Sequence, residues 1–265
     1  MCQMENLFDK LFSALFSSKN NDIVEGTIDN EAIVDGGEII EEQPKNEDLD
    51  LGLSSRYSNV VILIDNGHGN TTLGKRSPYS YCKAEPAIPF YEYEWNREIA
   101  KTVVDELKAL GLDAILLVPE IGDISLSERV RRANNYCNEY GTNNVILVSV
   151  HSNAAGNGSK WMTAKGWSTY TSNGQTNSDK LAECLYDAAE KNFVGRKIRT
   201  DYQDGDRDWE SNFYICQKTK CIAVLTENFF YDNEDDVKYI LSDEGKKAVV
   251  KTHVDGILSY IKKQF

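Results

Sequence analysis

The feature that most restricts the fold is a series of short β-branched runs that alternates with amphipathic helical patterns from residue 57 onward. Strands separated by helices are typical of a parallel or mixed sheet with helices on its faces. We therefore predict an α/β fold, with a mostly parallel, mixed sheet, helices on both faces and a single domain over residues 57–265. The predicted strands cover residues 59–65, 113–118, 144–150, 165–171, 212–216 and 221–226, and the predicted helices cover about 93–110, 126–140, 176–192 and 243–263.

Most of the acidic charge precedes this predicted domain. The chain has a formal net charge of -13, and residues 19–56 carry eleven acidic side chains against three basic ones. The net charge of residues 57–265 is then only -4. Nucleic acids select clustered Lys and Arg side chains, and no basic stripe is visible here. The composition therefore predicts no nucleic-acid partner, and the acidic segment 19–56 is typical of a disordered linker.

An amphipathic helix is predicted over residues 1–18. Its apolar residues recur at helical spacing between residues 4 and 16, and they are Met4, Leu7, Phe8, Leu11, Phe12, Leu15 and Phe16. This stripe could pack on the protein's own surface, bind a protein partner, mediate self-association or lie on a membrane surface. Glu5 and Asp9 stand where a secretion signal carries positive charge, and no apolar run reaches the length of a signal core or a membrane span. We expect synthesis in the cytoplasm without a signal peptide or transmembrane segment.

Three polar residues follow predicted strands and suit metal chemistry. His68 and His151 come just after the first and third strands, and Glu227 follows the run that begins at Cys221. Ligands of open α/β sheets gather at the carboxyl ends of the strands, so we expect these side chains at one edge of one sheet. His253 shares a helical face with apolar residues, which favours a structural role.

The start of the first predicted helix adds two carboxylates, Glu92 and Glu94, near the same edge. Two imidazoles and one carboxylate form a common zinc ligand set for hydrolysis, and a further carboxylate can then act as the general base. The residues alone predict a zinc hydrolase site but leave open which of the two carboxylates is the ligand.

Four segments resemble the motifs of the zinc-dependent N-acetylmuramoyl-L-alanine amidases of the third amidase class. The resemblance extends over residues 59–262 and rests on Asp65-Asn-Gly-His68-Gly, Glu92-x-x-x-Asn96, Val148-Ser-Val-His151-Ser-Asn153-Ala and Leu225-Thr-Glu227-Asn-Phe-Phe230. It implies that His68, Glu92 and His151 bind Zn²⁺ and that Glu227 is the catalytic carboxylate. Glu92 is preferred to Glu94 because only Glu92 keeps the four-residue step to Asn96.

The resemblance also implies a substrate and a biological setting. The expected reaction is cleavage of the amide between the lactyl group of N-acetylmuramic acid and L-alanine in peptidoglycan, at the cell wall, as by a phage lysin. The alternatives are another zinc peptidase that acts on peptide stems, or an assembly-docked structural component that carries the hydrolase domain. Asn70 and Phe229 stand where the family usually has glycine, which predicts an altered cleft wall.

Overall fold

The structure is a computed structural model that describes residues 56–78 and 89–265. The amphipathic helix predicted over residues 1–18 lies outside the described residues, and so does the predicted linker 19–56 except for Arg56. Both stay predictions. In the part of the chain that the structure describes, no helix is long and apolar enough to cross a membrane.

One six-stranded mixed sheet organises the described residues, as the alternation of strands and helices predicts. The strands are β1 (Val61–Asn66), β2 (Asp113–Leu116), β3 (Val145–Asn153), β4 (Ser168–Thr171), β5 (Trp209–Glu210) and β6 (Ile222–Phe230). The helices are α1 (Glu92–Ala109), α2 (Leu126–Tyr140), α3 (Asn177–Asn192), α4 (Tyr214–Lys218), α5 (Glu234–Leu241) and α6 (Asp243–Gln264). The sheet order is β2-β1-β3-β6-β4-β5.

The central strands are parallel, and β4 runs antiparallel to β6. Because β1 continues to β2 on one side and pairs with β3 on the other, the order of the sheet reverses at the β1–β3 pair. A crevice at the carboxyl ends of the strands is expected at such a point. Asp65 and Asn66 pair with Ser149 and Val150 at this edge. The topology therefore places the segments after β1 and at the end of β3 side by side.

Helices cover both faces of the sheet because side chains alternate between the faces along each strand. Ile62 and Ile64 of β1 belong to the core that contains α1, α3, α5 and α6. Val61 and Leu63 belong to the core that contains α2 and α4. All four side chains are fully buried, as expected for a strand covered on both faces.

Some sequence-based expectations about the elements are wrong. The predicted strand at residues 212–216 is instead the short helix α4, in which Ile215 and Cys216 are buried on the α2 face. Helix α5 is absent from the prediction. β3 and β6 extend to Asn153 and Phe230, so His151 and Glu227 lie within strands rather than beyond their ends.

Candidate metal centre

The turn after β1 brings His68 to the edge of the sheet. His68 has a φ of 66°, a left-handed conformation that is uncommon outside glycine. The preceding Gly67 donates its N–H to Val150 O at 3.0 Å. A Cβ on Gly67 would lie 2.1 Å from the His151 ring, so no side chain fits there. The absence of a side chain at residue 67 therefore lets the two histidines approach each other.

Glu92, the first residue of α1, lies between the two imidazoles. Its Oε2 is 3.4 Å from His68 Nε2, and its Oε1 is 3.2 Å from His151 Nδ1. The two imidazole rings are 4.9 Å apart at their centroids and nearly perpendicular. One potential ligand atom from each residue lies within 4.8 Å of the others. We call these three residues the His-Glu-His cluster.

The surroundings of Glu92 hold its carboxylate in place and in its charged form. Oε1 accepts hydrogen bonds from Ser152 N at 3.1 Å and Asn96 Nδ2 at 3.4 Å. Burial alone would raise the pKa of Glu92, but hydrogen bonds and positive charge from His151 and His68 lower it well below its usual value. Oε2 is buried, and its contact with His68 Nε2 is too poorly aligned to satisfy it. A buried carboxylate oxygen beside two imidazoles fits a metal ion, so the His-Glu-His cluster could bind one.

Arg129 of α2 fixes the turn that carries His68. Its guanidinium donates to Asp65 Oδ1 at 2.6 Å, Asn66 O at 2.9 Å, His68 O at 3.2 Å and Asp123 Oδ1 at 2.9 Å. The side chain is buried, so these charge-assisted bonds are shielded from water. Arg129 thus holds the backbone of the turn that carries His68.

Glu227 lies in β6 directly opposite His151 of β3. It is half-buried and is not one of the residues whose ligand atoms converge. Its Oε2 accepts no hydrogen bond. Burial raises the pKa of Glu227 well above its usual value, the negative charge of Glu92 raises it further, and Lys75 lowers it. The carboxyl is thus next to the cluster and available for proton transfer.

The structure separates the other candidates from this site. Glu94 is exposed and accepts a hydrogen bond from Tyr93, whereas Glu92 lies beside the histidines. His253 is buried in α6, where its ring nitrogens meet Thr226 Oγ1 at 2.9 Å and Val249 O at 2.8 Å. Its bonds satisfy both ring nitrogens without a ligand.

The comparisons with known proteins agree with this geometry. A family model described as N-acetylmuramoyl-L-alanine amidase matches residues 62–259. The chain belongs to this family. The amidase is 26% identical to a crystal structure of N-acetylmuramoyl-L-alanine amidase from Clostridium difficile 630, with a TM-score of 0.64 over 78% of this chain and 98% of that one.

Curated relatives include a named amidase and a phage enzyme. N-acetylmuramoyl-L-alanine amidase CwlM of Bacillus licheniformis is 23% identical over 205 residues, which are 75% of this chain and 67% of CwlM. The endolysin of Bacillus phage SPP1 is 28% identical over 135 residues, which are 50% of this chain and 44% of the endolysin.

Sequence reasoning missed three polar partners of the site. Ser149 donates to Asp65 Oδ2 at 2.5 Å, and Asp123 accepts from Arg129. Lys75 lies in the loop after β1, and its positive charge lowers the pKa of Glu227. Ser149 lies inside a recognised motif, so its position signalled a role. Asp123 and Lys75 lie in irregular loops, where no periodicity relates a residue to the site.

Proposed function

We propose that this amidase uses Zn²⁺ to cleave the amide between the lactyl group of N-acetylmuramic acid and L-alanine in peptidoglycan. In this proposal His68, Glu92 and His151 are the zinc ligands, and Glu227 is the catalytic carboxylate. The observation that carries it is the convergence of two imidazoles on the buried Glu92, with Glu227 opposite His151. Two His and one carboxylate leave a fourth position of a tetrahedral site open.

Zn²⁺ held in such a site supplies Lewis-acid chemistry: it polarises a carbonyl and makes water nucleophilic at neutral pH. The protein's own residues supply the proton transfers. Glu227 accepts a proton from the attacking water and delivers it to the nitrogen of the departing L-alanine amine. A carboxyl whose pKa lies above its usual value suits both steps, because it holds a proton more readily than an exposed carboxylate does.

The other polar residues orient this machinery. Asn96 and the Ser152 N–H hold Glu92, and Arg129 holds the His68 turn. Such supporting hydrogen bonds fix ligand orientation and ligand basicity. Residues 57–265 form the catalytic domain in this proposal, and lysis of the cell wall, as by an endolysin, is the setting that we propose.

A digest of defined peptidoglycan tests the proposal. The zinc-loaded protein should release peptide stems that begin with a free L-alanine amine, and removal of the metal by a chelator should stop their release. Mass spectrometry of the products identifies the cleaved bond. Cleavage within the stems would favour a peptidase instead, and cleavage that is indifferent to the chelator would contradict the metal.

The variant Glu227→Gln separates catalysis from metal binding. It removes the proton acceptor and nearly preserves the shape of the side chain, so we expect turnover to fall roughly 10²–10⁴-fold. Zinc content, measured by elemental analysis, should stay at the wild-type value. Wild-type turnover by this variant would refute the role of Glu227, and loss of its zinc would mean that Glu227 is a ligand.

A further inference from the structure

A second group of carboxylates lies beside the edge strand β5, apart from the His-Glu-His cluster. Asp179 is in the first turn of α3, and Asp206 and Asp208 precede β5. One carboxylate oxygen from each residue lies within 4.8 Å of the others. We call these residues the three-aspartate cluster. β5 is the edge strand, three strands away from β3, so this cluster is separate from the amidase site.

The cluster contains buried carboxylate oxygens that have no hydrogen-bond donor. Asp208 is only 1% exposed. Its Oδ2 accepts a hydrogen bond from Thr171 Oγ1 at 2.5 Å, but its Oδ1 accepts none. Oδ1 of Asp206 is also buried without a donor. Buried oxygen atoms of this kind are costly unless a proton or a cation meets them.

Within residues 56–78 and 89–265, the three-aspartate cluster forms no ion pair. Arg207 lies between Asp206 and Asp208 in the sequence, but its guanidinium binds Glu183 and Asp187 of α3 instead. Burial, together with the charges of Asp206 and Asp179, raises the pKa of Asp208 to about 7. Three carboxylates at this distance repel one another, and a shared proton or a bound cation would relieve that repulsion.

We propose that Asp179, Asp206 and Asp208 form a divalent-cation site and that Ca²⁺ is its ligand. The donors are all carboxylate oxygens, without the imidazole or thiolate that zinc and other transition metals favour. Ca²⁺ accepts six to eight oxygen ligands in flexible geometry, so water and neighbouring oxygen atoms can complete its shell. A cation here joins the segment before β5 to the start of α3 and fixes the edge of the sheet.

Thermal unfolding of the zinc-loaded full chain tests the proposal without any measurement of hydrolysis. Sites of this kind in extracellular modules bind Ca²⁺ at about 10⁻⁴–10⁻³ M. We expect 10 mM Ca²⁺ to raise Tm by about 5 °C, and the same concentration of Mg²⁺ to raise it less. Isothermal titration calorimetry should detect one Ca²⁺ site that depends on Asp208. The absence of any rise in Tm with Ca²⁺ would mean that the carboxylates share a proton, and it would overturn the proposal.

The variant Asp208→Asn identifies the site. Asn retains an acceptor for Thr171 and removes a buried charge, so the variant should have a Tm at or above the wild-type value without Ca²⁺. It should lose the rise in Tm when Ca²⁺ is added. Asp201→Asn is the matched control, because it removes one charge from the same segment and its Oδ1 accepts only from Gln203 N.

We expect Asp201→Asn to retain the full rise in Tm with Ca²⁺. An equal loss in both variants would attribute the effect to net charge and would refute the site. A full rise in Asp208→Asn would refute it as well. Asp206→Asn gives a second reading, since it removes a different oxygen of the same cluster and should also abolish the rise.

Discussion

Phe229 stands where the family usually has glycine, and burial of its ring offsets the backbone strain at this position. It has a φ of 66° and lies in the bulge of β6, where His151 pairs with Glu227 but Asn153 pairs with Phe230. The bulge adds one residue to β6, and glycine is the residue that tolerates this conformation best. The expectation that Phe229 alters the cleft wall is wrong, because its side chain is fully buried in the core.

Burial of the ring accounts for a phenylalanine at this position. Its ring lies 5.1 Å from the ring of Phe193 and 5.2 Å from that of Tyr239, measured between centroids. A left-handed residue costs roughly 1–2 kcal/mol, whereas truncation of a buried phenylalanine costs roughly 3–5 kcal/mol. Packing therefore outweighs the backbone strain.

Alanine is usually more stabilising than glycine within a strand, and we predict the reverse order for two truncations of Phe229. Phe229→Gly and Phe229→Ala both lose the buried ring, but only the glycine also relieves the left-handed strain. The glycine variant should be more stable to urea by about 1 kcal/mol. Phe230, the next residue of β6, has no positive φ and is the control. There the alanine variant should be the more stable, and the same order at both positions would contradict strain at Phe229.

We predict that His253 makes the stability of the protein dependent on pH. Burial lowers the pKa of His253 to about 4, although a hydrogen bond to Val249 O opposes the shift. Between pH 6.5 and about 4 the unfolded chain binds a proton that the folded protein does not bind, so acidification through this window destabilises the fold. From pH 7 to pH 5 this group alone should cost about 2 kcal/mol of unfolding free energy.

The variant His253→Gln tests this dependence. It should be less stable than the wild type at pH 7, because it loses the bond with Thr226 or that with Val249. Its unfolding free energy should then fall less steeply between pH 7 and pH 5. Urea unfolding at both pH values gives the difference in slope, from which the shared effects of the other titrating groups cancel. Parallel slopes would show that His253 titrates normally in the folded protein.

At the scale of elements, helix α2 supports the His-Glu-His cluster through one side chain. Arg129 connects α2 to the end of β1 and to the loop that carries Asp123. Lysine keeps the charge but cannot reproduce the planar set of donors. We predict that Arg129→Lys weakens zinc binding roughly 10–100-fold, as expected when a supporting hydrogen bond to a ligand turn is lost.

Competition with a chelator of known zinc affinity measures this effect. Arg131→Lys is the matched control on the same helix, because Arg131 is exposed and pairs only with Glu128. It should bind zinc as tightly as the wild type. Equal affinity in Arg129→Lys and the wild type would show that the His68 turn keeps its shape without the guanidinium.

The elements were predictable where a long periodic pattern defined them. α1 and α2 match their predicted ranges closely, since each buries one apolar stripe and α2 has a capping serine. The short apolar run at residues 213–216 fits a strand or a helix equally well, because four residues do not define a period. In the structure this run forms the helix α4, and Ile215 and Cys216 pack in the same apolar cluster as residues of α2. A short sequence pattern does not predict the secondary structure where tertiary packing determines whether the segment is a strand or a helix.

At the scale of the whole molecule, the location of the site followed from chain topology. His68 and His151 were predicted at one edge because parallel strands end together, and the structure places their rings side by side. The sheet order could not be read from the sequence, because pairing of distant strands leaves no local pattern. The bulge in β6 could not be predicted either. A glycine at residue 229 would have indicated a left-handed residue there, but this chain has Phe229.

Residues 56–78 and 89–265 also bury their own core, which supports the domain boundary proposed at residue 57. Helices lie against both faces of the sheet, and the two apolar clusters that they form with it consist of buried side chains of the described residues. Because helices cover both faces of the sheet, no further segment is needed to bury these faces. The predicted amphipathic helix over residues 1–18 is therefore proposed to serve association rather than folding.

We predict that a variant lacking residues 1–55 keeps the catalytic domain intact. Its Tm should lie within about 2 °C of the full chain, because a change of 1 kcal/mol moves Tm by about 2–4 °C at this size. Its rate on a small muropeptide should be unchanged.

Substituting Phe12 by Glu in the full chain is the complementary change, since it disrupts only the apolar stripe. If the stripe instead packs on the domain, both variants should lose stability together, whereas a role in association predicts a smaller sedimentation coefficient at unchanged Tm.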